Sequence, residues 1–244
     1  MNGPRRRTGL FLVLAALTAA LFVRLGFWQL ARHAERSQRN TAIQSSFARP
    51  QLLLPEQGPI TEEYSYRLVR ATGHFDPSNQ ILLMNRTYQE RPGYHLVTPL
   101  LQEGNPPAVL VDRGWIPQED ATAERLESYR LDEAVSLSGL LLPSQREPAW
   151  SLLADPTPAP GESRQAWRAL SIPTIQQQVP YKLAALYIEQ AEPLAETGPA
   201  PIPAPELETS PGPHLGYAIQ WFAFAAIAVG GALFWARRRT ANRA

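Results

Sequence analysis

Two long apolar runs, one near each end of the chain, constrain everything that lies between them. The first extends from Leu10 to Val23 and continues more weakly through Leu30. The second extends from Tyr217 to Ala236 without a charged residue. A helix rises about 1.5 Å per residue, so the second run covers roughly the 30 Å hydrocarbon thickness of a bilayer. The first reaches that length when Gly26, Phe27 and Trp28 form its interfacial end, where aromatic rings are favoured. The predicted organisation is a basic head at 1–9, a transmembrane helix at 10–30 and an exported domain at 31–213. A second transmembrane helix follows at 214–236, and a basic tail at 237–244.

Charge sets the expected orientation. Arg5, Arg6 and Arg7 precede the first run, and Arg237, Arg238, Arg239 and Arg243 follow the second. Short Lys- and Arg-rich flanks stay cytoplasmic, so both termini are expected inside and the middle outside. In a bacterium this is a multi-pass protein of the inner membrane with a periplasmic domain; in a mitochondrion the domain would face the intermembrane space. A cleaved signal peptide also has a basic head and an apolar core, and Ala15, Ala19 and Ala20 offer small residues for cleavage. The apolar character that resumes after Arg24, with Phe27 and Trp28, favours a retained anchor. The formal net charge of +1 hides basic ends and a middle that carries the acids. The lipid bilayer is an expected partner; nucleic acid is not.

The chain contains no cysteine. An exported domain without disulfides or thiolate metal sites depends on a hydrophobic core, and the middle is large enough to form one. Thiol-based copper handling and thiol–disulfide exchange are excluded for the same reason.

Arg32–Phe47 is polar and helix-compatible, a stalk that continues the first helix. Runs at Tyr64–His74, Gln80–Met84, Tyr94–Leu101, Ala108–Trp115 and Ala134–Leu142 read as strands. The turns between them are expected at Asp76–Asn79, Pro92–Gly93, Gly104–Pro107 and Pro143. Glu119–Tyr129 reads as a helix or helical loop, and Asp155–Gly161 as an exposed proline-rich loop. Ala166–Ile172 is a further strand, whereas Tyr181–Glu189 suits a strand or a helix. Pro193–Pro213 carries seven prolines and is expected to be an extended tether back to the membrane. The fold class is therefore membrane α + β: two transmembrane helices flanking one mainly antiparallel sheet or barrel-like domain.

Chemistry-bearing motifs are sparse. The four histidines, His33, His74, His95 and His214, lack the close spacing of a zinc helix. No glycine-rich phosphate loop or nucleophile elbow occurs, and an enzyme is not expected. His214 stands at the mouth of the second span, and at helical spacing it shares a face with Tyr217, Trp221 and Phe224. Such a set makes an interfacial belt, the commoner arrangement; an imidazole above an aromatic stripe would also suit haem iron. Arg24, so close to the apolar run, either snorkels or pairs with an anion such as a propionate. Arg86 and Arg113 either bind carboxylates or a partner, or lay their stems over Tyr88 or Trp115.

Four segments in order resemble the surfeit locus protein 1 family. They are Leu25-Gly26-Phe27-Trp28-Gln29-Leu30-Ala31-Arg32; Asn85-Arg86 with Gly93-Tyr94 and Val97-Thr98-Pro99-Leu100; Val109-Leu110-Val111-Asp112-Arg113-Gly114-Trp115-Ile116-Pro117; and His214-Leu215-Gly216-Tyr217-Ala218-Ile219-Gln220-Trp221-Phe222. The resemblance implies an assembly factor, or chaperone, for the haem-copper cytochrome c oxidase of respiratory complex IV. Its partners would be the oxidase large subunit and other assembly proteins, and it would act around insertion of haem a. It further implies that His214 binds haem transiently, with Tyr217 and Trp221 beside it and Arg24 toward a propionate. Gly26 corresponds to a sensitive position where the helices approach closely. Trp28, Arg86, Arg113 and Trp115 fall in its matching motifs, as structural or partner-binding positions. Pro213, Gly216 and Asp112 depart from the family's usual residues, and Pro213 leaves polar support of the histidine in doubt. The alternative is a subunit-binding membrane chaperone that holds no haem.

Overall fold

Short apolar and alternating runs in the middle of the chain give eight strands among the described residues: β1 (Leu52–Leu54), β2 (Leu68–Phe75), β3 (Ile81–Tyr88), β4 (Arg91–Leu101), β5 (Val109–Pro117), β6 (Val135–Pro143), β7 (Ala166–Trp167) and β8 (Leu186–Gln190). A long helix α1 (Gly3–Phe47) precedes them; two short helices, α2 (Ala123–Glu127) and α3 (Ile172–Ile175), interrupt them; and α4 (His214–Ala241) follows. The structure, a computed structural model, describes residues 3–54, 60–104, 106–145, 155, 163–194, 199–203, 210 and 212–241. Two compact units result: Met1–Ala42 with Thr209–Ala244, and Ile43–Glu208.

In the larger unit the strands run in the order β1-β2-β6-β8-β5-β4-β3-β7, and β2 also pairs with β4. That last pairing, His74 to Leu101 and Phe75 to Leu100, closes β2, β6, β8, β5 and β4 into a five-stranded ring. The barrel-like form of the expected domain is the one adopted. Most pairings are antiparallel, with parallel ones at β1–β2, β3–β7 and β5–β8. Alternation on β2 buries Val69, Ala71 and Phe75 and leaves Arg70 and Thr72 exposed. These apolar residues pack with Leu100, Val111, Leu141 and Ile188 inside the ring. On β5 every residue from Val109 to Ile116 is buried, because the strand packs on both faces. Leu110 on its other face joins a second core built on Trp167, Leu170, Ile175 and Ile43.

Several boundaries differ from the sequence reading for identifiable reasons. Pro92 and Gly93 lie within β4, and the turn sits earlier, at Gln89 and Glu90, both at positive φ (46° and 64°). Two such residues between paired Tyr88 and Arg91 are the pattern of a tight type I′ hairpin, here built without its usual Asn-Gly. Only Ala166 and Trp167 of the expected strand Ala166–Ile172 pair, and Ile172 starts α3 instead. Within Tyr181–Glu189, Leu186 onward is strand, paired on both sides by β5 and β6. The tether is not free along its length: Ile202 exchanges two backbone hydrogen bonds with Trp115 at 2.6 and 2.8 Å. Most of the expected Asp155–Gly161 loop lies outside the described residues, as does Arg243.

A half-buried contact pins the turn before β3. Tyr181 Oη donates to Asp76 Oδ2 at 2.7 Å, and Asn79 Nδ2 donates to the same oxygen at 2.7 Å. Burial would raise the Asp76 carboxyl, but the bonds from Tyr181, Asn79 and the backbone amides of Ser78 and Asn79 outweigh it, holding the group below its ordinary 3.8. A carboxyl depressed on folding contributes stability at pH above its ordinary value, lost as pH falls through the folded value. Tyr181→Phe is expected to cost about 1–2 kcal/mol at pH 7 and to flatten the acid limb of a stability-versus-pH curve. Unfolding midpoints between pH 2 and 7 check both parts.

In the smaller unit, α1 and α4 run antiparallel. Phe11 meets Trp235 (ring centroids 4.4 Å), Phe22 meets Trp221 (5.5 Å) and Phe27 meets Phe222 (5.4 Å). With Leu25, Leu30, Phe222 and Trp235 half-buried at its sides, the inward seam runs on α1 through Ala15, Ala19, Phe22, Gly26, Gln29 and His33, and on α4 through His214, Ala218, Trp221, Ala225, Ala228 and Ala232. Both sets advance by alternating fours and threes, the 3.5-residue seam of a left-handed helix pair. Both helices are long and apolar enough to cross a membrane. Most of that apolar surface is exposed, as at Leu17 and Ile219 (62% each) and Ile227 (68%), unlike the core helix of a globular domain.

Candidate functional site

The geometry at the start of α4 is built from its first residue. Gly212 adopts φ +69°, Pro213 follows, and the Pro213 carbonyl accepts the Tyr217 amide at 3.1 Å. His214 therefore enters the helix in its first turn with its ring free to face α1. There its Nδ1 lies 2.9 Å from Gln29 Oε1. An amide oxygen only accepts, so Nδ1 carries the proton and donates, leaving Nε2 of a neutral ring with its lone pair available. Polar support for the histidine comes from the opposite helix, not from the residue that Pro213 replaces. A histidine held at one nitrogen by a hydrogen bond and open at the other is the standard arrangement of a metal-ligating imidazole.

Beside His214 lies an open cleft of about 330 Å³, lined otherwise by Arg32, Glu35, Arg36 and Arg39. The three arginines stand at helical spacings of four and three, so they share one side of α1. Arg32 is paired with Glu35 at 2.8 Å, whereas Arg36 and Arg39 have no partner among the described residues. Arg36 reaches closest to the turn: a Cβ at Gly212 would lie 3.0 Å from its Nη1 and 3.7 Å from His214 Nε2. One turn beyond Gln29, His33 keeps its Nδ1 buried without a partner among the described residues. Thus the His214 imidazole shares its cleft with two guanidinium groups that have no partner among the described residues, a set suited to a ligand that combines a metal ion with carboxylates.

The remaining residues singled out from sequence fall in different places. Trp221 lies on the seam with His214, and Phe224, though 47% exposed, keeps its ring 5.9 Å from Phe22 and 6.0 Å from Trp221; Tyr217 (47% exposed) has no such contact and turns outward, so the single face drawn for the four holds for three. The seam follows a 3.5-residue period, and Tyr217 falls one position off it. Arg24 is likewise exposed, on the side of α1 away from the seam, so it does not share the His214 cleft. Gly26 is buried, and a Cβ there would lie 2.7 Å from the Phe222 ring, which would have to shift. Trp28 is 53% exposed, as an interfacial ring should be.

In the sheet unit, Arg86 is half-buried and donates to the Met84 carbonyl at 3.1 Å. Arg113 does not lie over Trp115 or Tyr88; its guanidinium stacks over Phe75 at 4.8 Å. Arg91 takes the expected place, 5.8 Å above buried Trp115, which also meets Tyr88 at 5.5 Å. A bulge explains the turn of Arg113. His95 pairs with Trp115 and Val97 with Asp112, so Arg113 and Gly114 together oppose Leu96 alone. The same bulge brings His95 Nδ1 to 2.9 Å from Asp112 Oδ2, a pair that their spacing of 17 residues did not announce. Asp112 Oδ1 accepts the Gly114 amide at 3.1 Å, so the carboxylate holds the bulge as well. Among the described residues no further His, Cys, Asp or Glu completes a metal site there.

Comparison with known proteins bears on the whole chain. The SURF1 family profile matches residues 16–226, which include part of each long helix and the whole sheet unit. An uncharacterized SURF1-like protein of Mycobacterium tuberculosis is 29% identical over 224 residues, covering 90% of this chain and 79% of the relative. A SURF1-like protein of Rickettsia bellii is 28% identical over 214 residues, covering 86% and 84%. The cytochrome oxidase assembly protein SHY1 of Saccharomyces cerevisiae is 28% identical over 109 residues, covering 44% of this chain and 28% of that protein.

Proposed function

This chain belongs to the SURF1 family, and from that premise we propose that it is a membrane-bound assembly factor for cytochrome oxidase. In this reading it holds haem a transiently and hands it to the oxidase large subunit. The observation that carries the cofactor part is the His214 ring, fixed through Nδ1 by Gln29 and open at Nε2 beside Arg36 and Arg39. Haem supplies an iron that takes an axial imidazole and propionates that take guanidinium groups, and this donor set fits both. His214 would hold the iron. Arg36 and Arg39, in place of Arg24, would receive the propionates. Trp221, packed against Phe22, would keep the ligand-bearing turn rigid.

The function is binding and release, not catalysis. A single imidazole on a two-helix seam binds firmly enough to load a cofactor and is readily replaced by the ligands of an acceptor. The sheet unit, with Trp115, Tyr88 and Arg91 forming one ringed cluster, would dock on oxidase subunits or other assembly proteins. Both termini would be cytoplasmic and the sheet unit periplasmic, as the arginines that flank the spans favour.

Titration of the detergent-purified full chain with haem a, followed through the Soret band, tests this against His214→Ala. Tight binding by the parent and loss in the variant is the expected result. Equal binding by both removes the ligand role. Binding by neither leaves a subunit chaperone that holds no haem.

A further inference from the structure

Arg113 is only 4% exposed, yet no carboxylate pairs with it among the described residues. Its Nη2 donates to the Tyr129 carbonyl at 2.8 Å, and its Nε is buried without a partner. Burial pushes the guanidinium down to about 10, as desolvation does when no anion offsets it. A buried cation without a counter-ion is expensive to maintain. The residue also lines a cavity of about 130 Å³, together with Tyr129, Arg130, Gln190, Leu194 and the segment Pro199–Pro201. Gln190 donates through Nε2 to the Glu192 carbonyl, and its Oε1 too is buried without a partner among the described residues.

We propose that this cavity is a carboxylate-binding pocket, with Arg113 as the anchor and Gln190 as a second polar contact. Its charge argues for a monoanion. Arg130 is more than balanced by Glu127 at 3.1 Å and Asp132 at 2.6 Å, which leaves Arg113 as the one guanidinium of the lining that is free to hold an anion among the described residues. A phosphate dianion would exceed that charge and face the two acids at the rim. The orphan Gln190 Oε1 accepts from a donor next to the carboxylate, as a peptide N–H provides. The bulge at Arg113 and Gly114 is what turns the guanidinium into this cavity, and Ile202, paired with Trp115, holds the Pro199–Pro201 wall. The pocket lies within the sheet unit and is independent of the His214 reading.

The test uses the full chain in detergent micelles with ¹³C-acetate as probe, at ionic strength held constant with chloride, and reads broadening of the acetate resonance. The parent is expected to broaden it, and Arg113→Gln to weaken binding by about tenfold or more, as loss of a charge-assisted contact requires. Arg113→Lys, which keeps the charge without the planar fork, should fall between them. Leu194→Trp fills the cavity and leaves the arginine intact, so it decides the matter if Arg113→Gln does not fold. Broadening by the parent no greater than by Leu194→Trp overturns the proposal. Competition then identifies the source. Displacement of acetate by N-acetyl-aspartate amide, but not by the asparagine analogue, supports a side-chain carboxylate from a partner protein. Retention of acetate supports a small free carboxylate.

Discussion

Gly114→Ala is expected to lower the stability of the sheet unit by about 3–5 kcal/mol, the largest effect of any single methyl group in this chain. Two independent costs add. Gly114 adopts φ +115°, a conformation that residues with a Cβ avoid. The new Cβ would also lie 2.1 Å from the Ile202 carbonyl oxygen and 2.7 Å from Pro203 Cα. These are backbone atoms, so no rotamer change relieves the clash. The segment around Ile202 must move off Trp115 and give up both hydrogen bonds. Gly104→Ala is the matched control: its φ is +81°, and nothing lies within 4 Å of the added Cβ. It should show the conformational cost alone, about 1 kcal/mol. Thermal unfolding of both variants beside the parent gives the difference directly. A Gly114→Ala midpoint no lower than that of Gly104→Ala would mean that the Ile202 segment does not hold the bulge.

Gly114 also shows which parts of this fold were legible in the sequence. Strand alternation on β2 and the apolar run of β5 were readable because burial of one or two faces leaves a local pattern. The bulges were not. Asn85 at φ 59° and Gly114 mark the two places where two residues oppose one on β4, yet each residue type has many other uses. The Gln89–Glu90 turn lacks the glycine that usually announces a tight hairpin, and the nearby Pro92–Gly93 drew the boundary to the wrong side. Ring closure depended on β8, whose Leu-Tyr-Ile core suits either helix or strand; only its seat between β5 and β6 decides.

The candidate site divides in the same way. His214 was legible from its place at the mouth of an apolar run. Gln29 was not, because its role depends on the register of an antiparallel helix pair, which a period in one segment cannot give. Arg32, Arg36 and Arg39 read as a solvated stalk, the usual state of charges at helical spacing. Their nearness to His214 follows from the length of α1 beyond the seam. Arg24 and Tyr217 drew attention through residue type and nearness in sequence. The 3.5-residue period, visible only when both helices are compared, turns them outward.

The second large effect is on cofactor affinity. His214→Ala removes the only imidazole among the described residues lining the cleft, and haem a binding is expected to fall below detection at concentrations that saturate the parent. Gln29→Leu is the more discriminating change. It keeps the imidazole but removes the acceptor at 2.9 Å that fixes the ring's orientation and places the proton on Nδ1. Loss of such a supporting bond to a metal-bound histidine costs about 10–100-fold in affinity. Gln29→Glu keeps the acceptor and adds a negative charge, so it should bind iron at least as well as the parent. A position of purely structural importance on the seam would predict the reverse order, because a leucine suits an apolar helix interface and a carboxylate does not. Added imidazole separates the roles further. It should restore an axially ligated Soret spectrum to His214→Ala, whose cleft still holds Arg36 and Arg39, and leave the affinity of Gln29→Leu for haem unimproved. Equal haem affinity in the parent and Gln29→Leu would show that the hydrogen bond between the helices serves only to pack them.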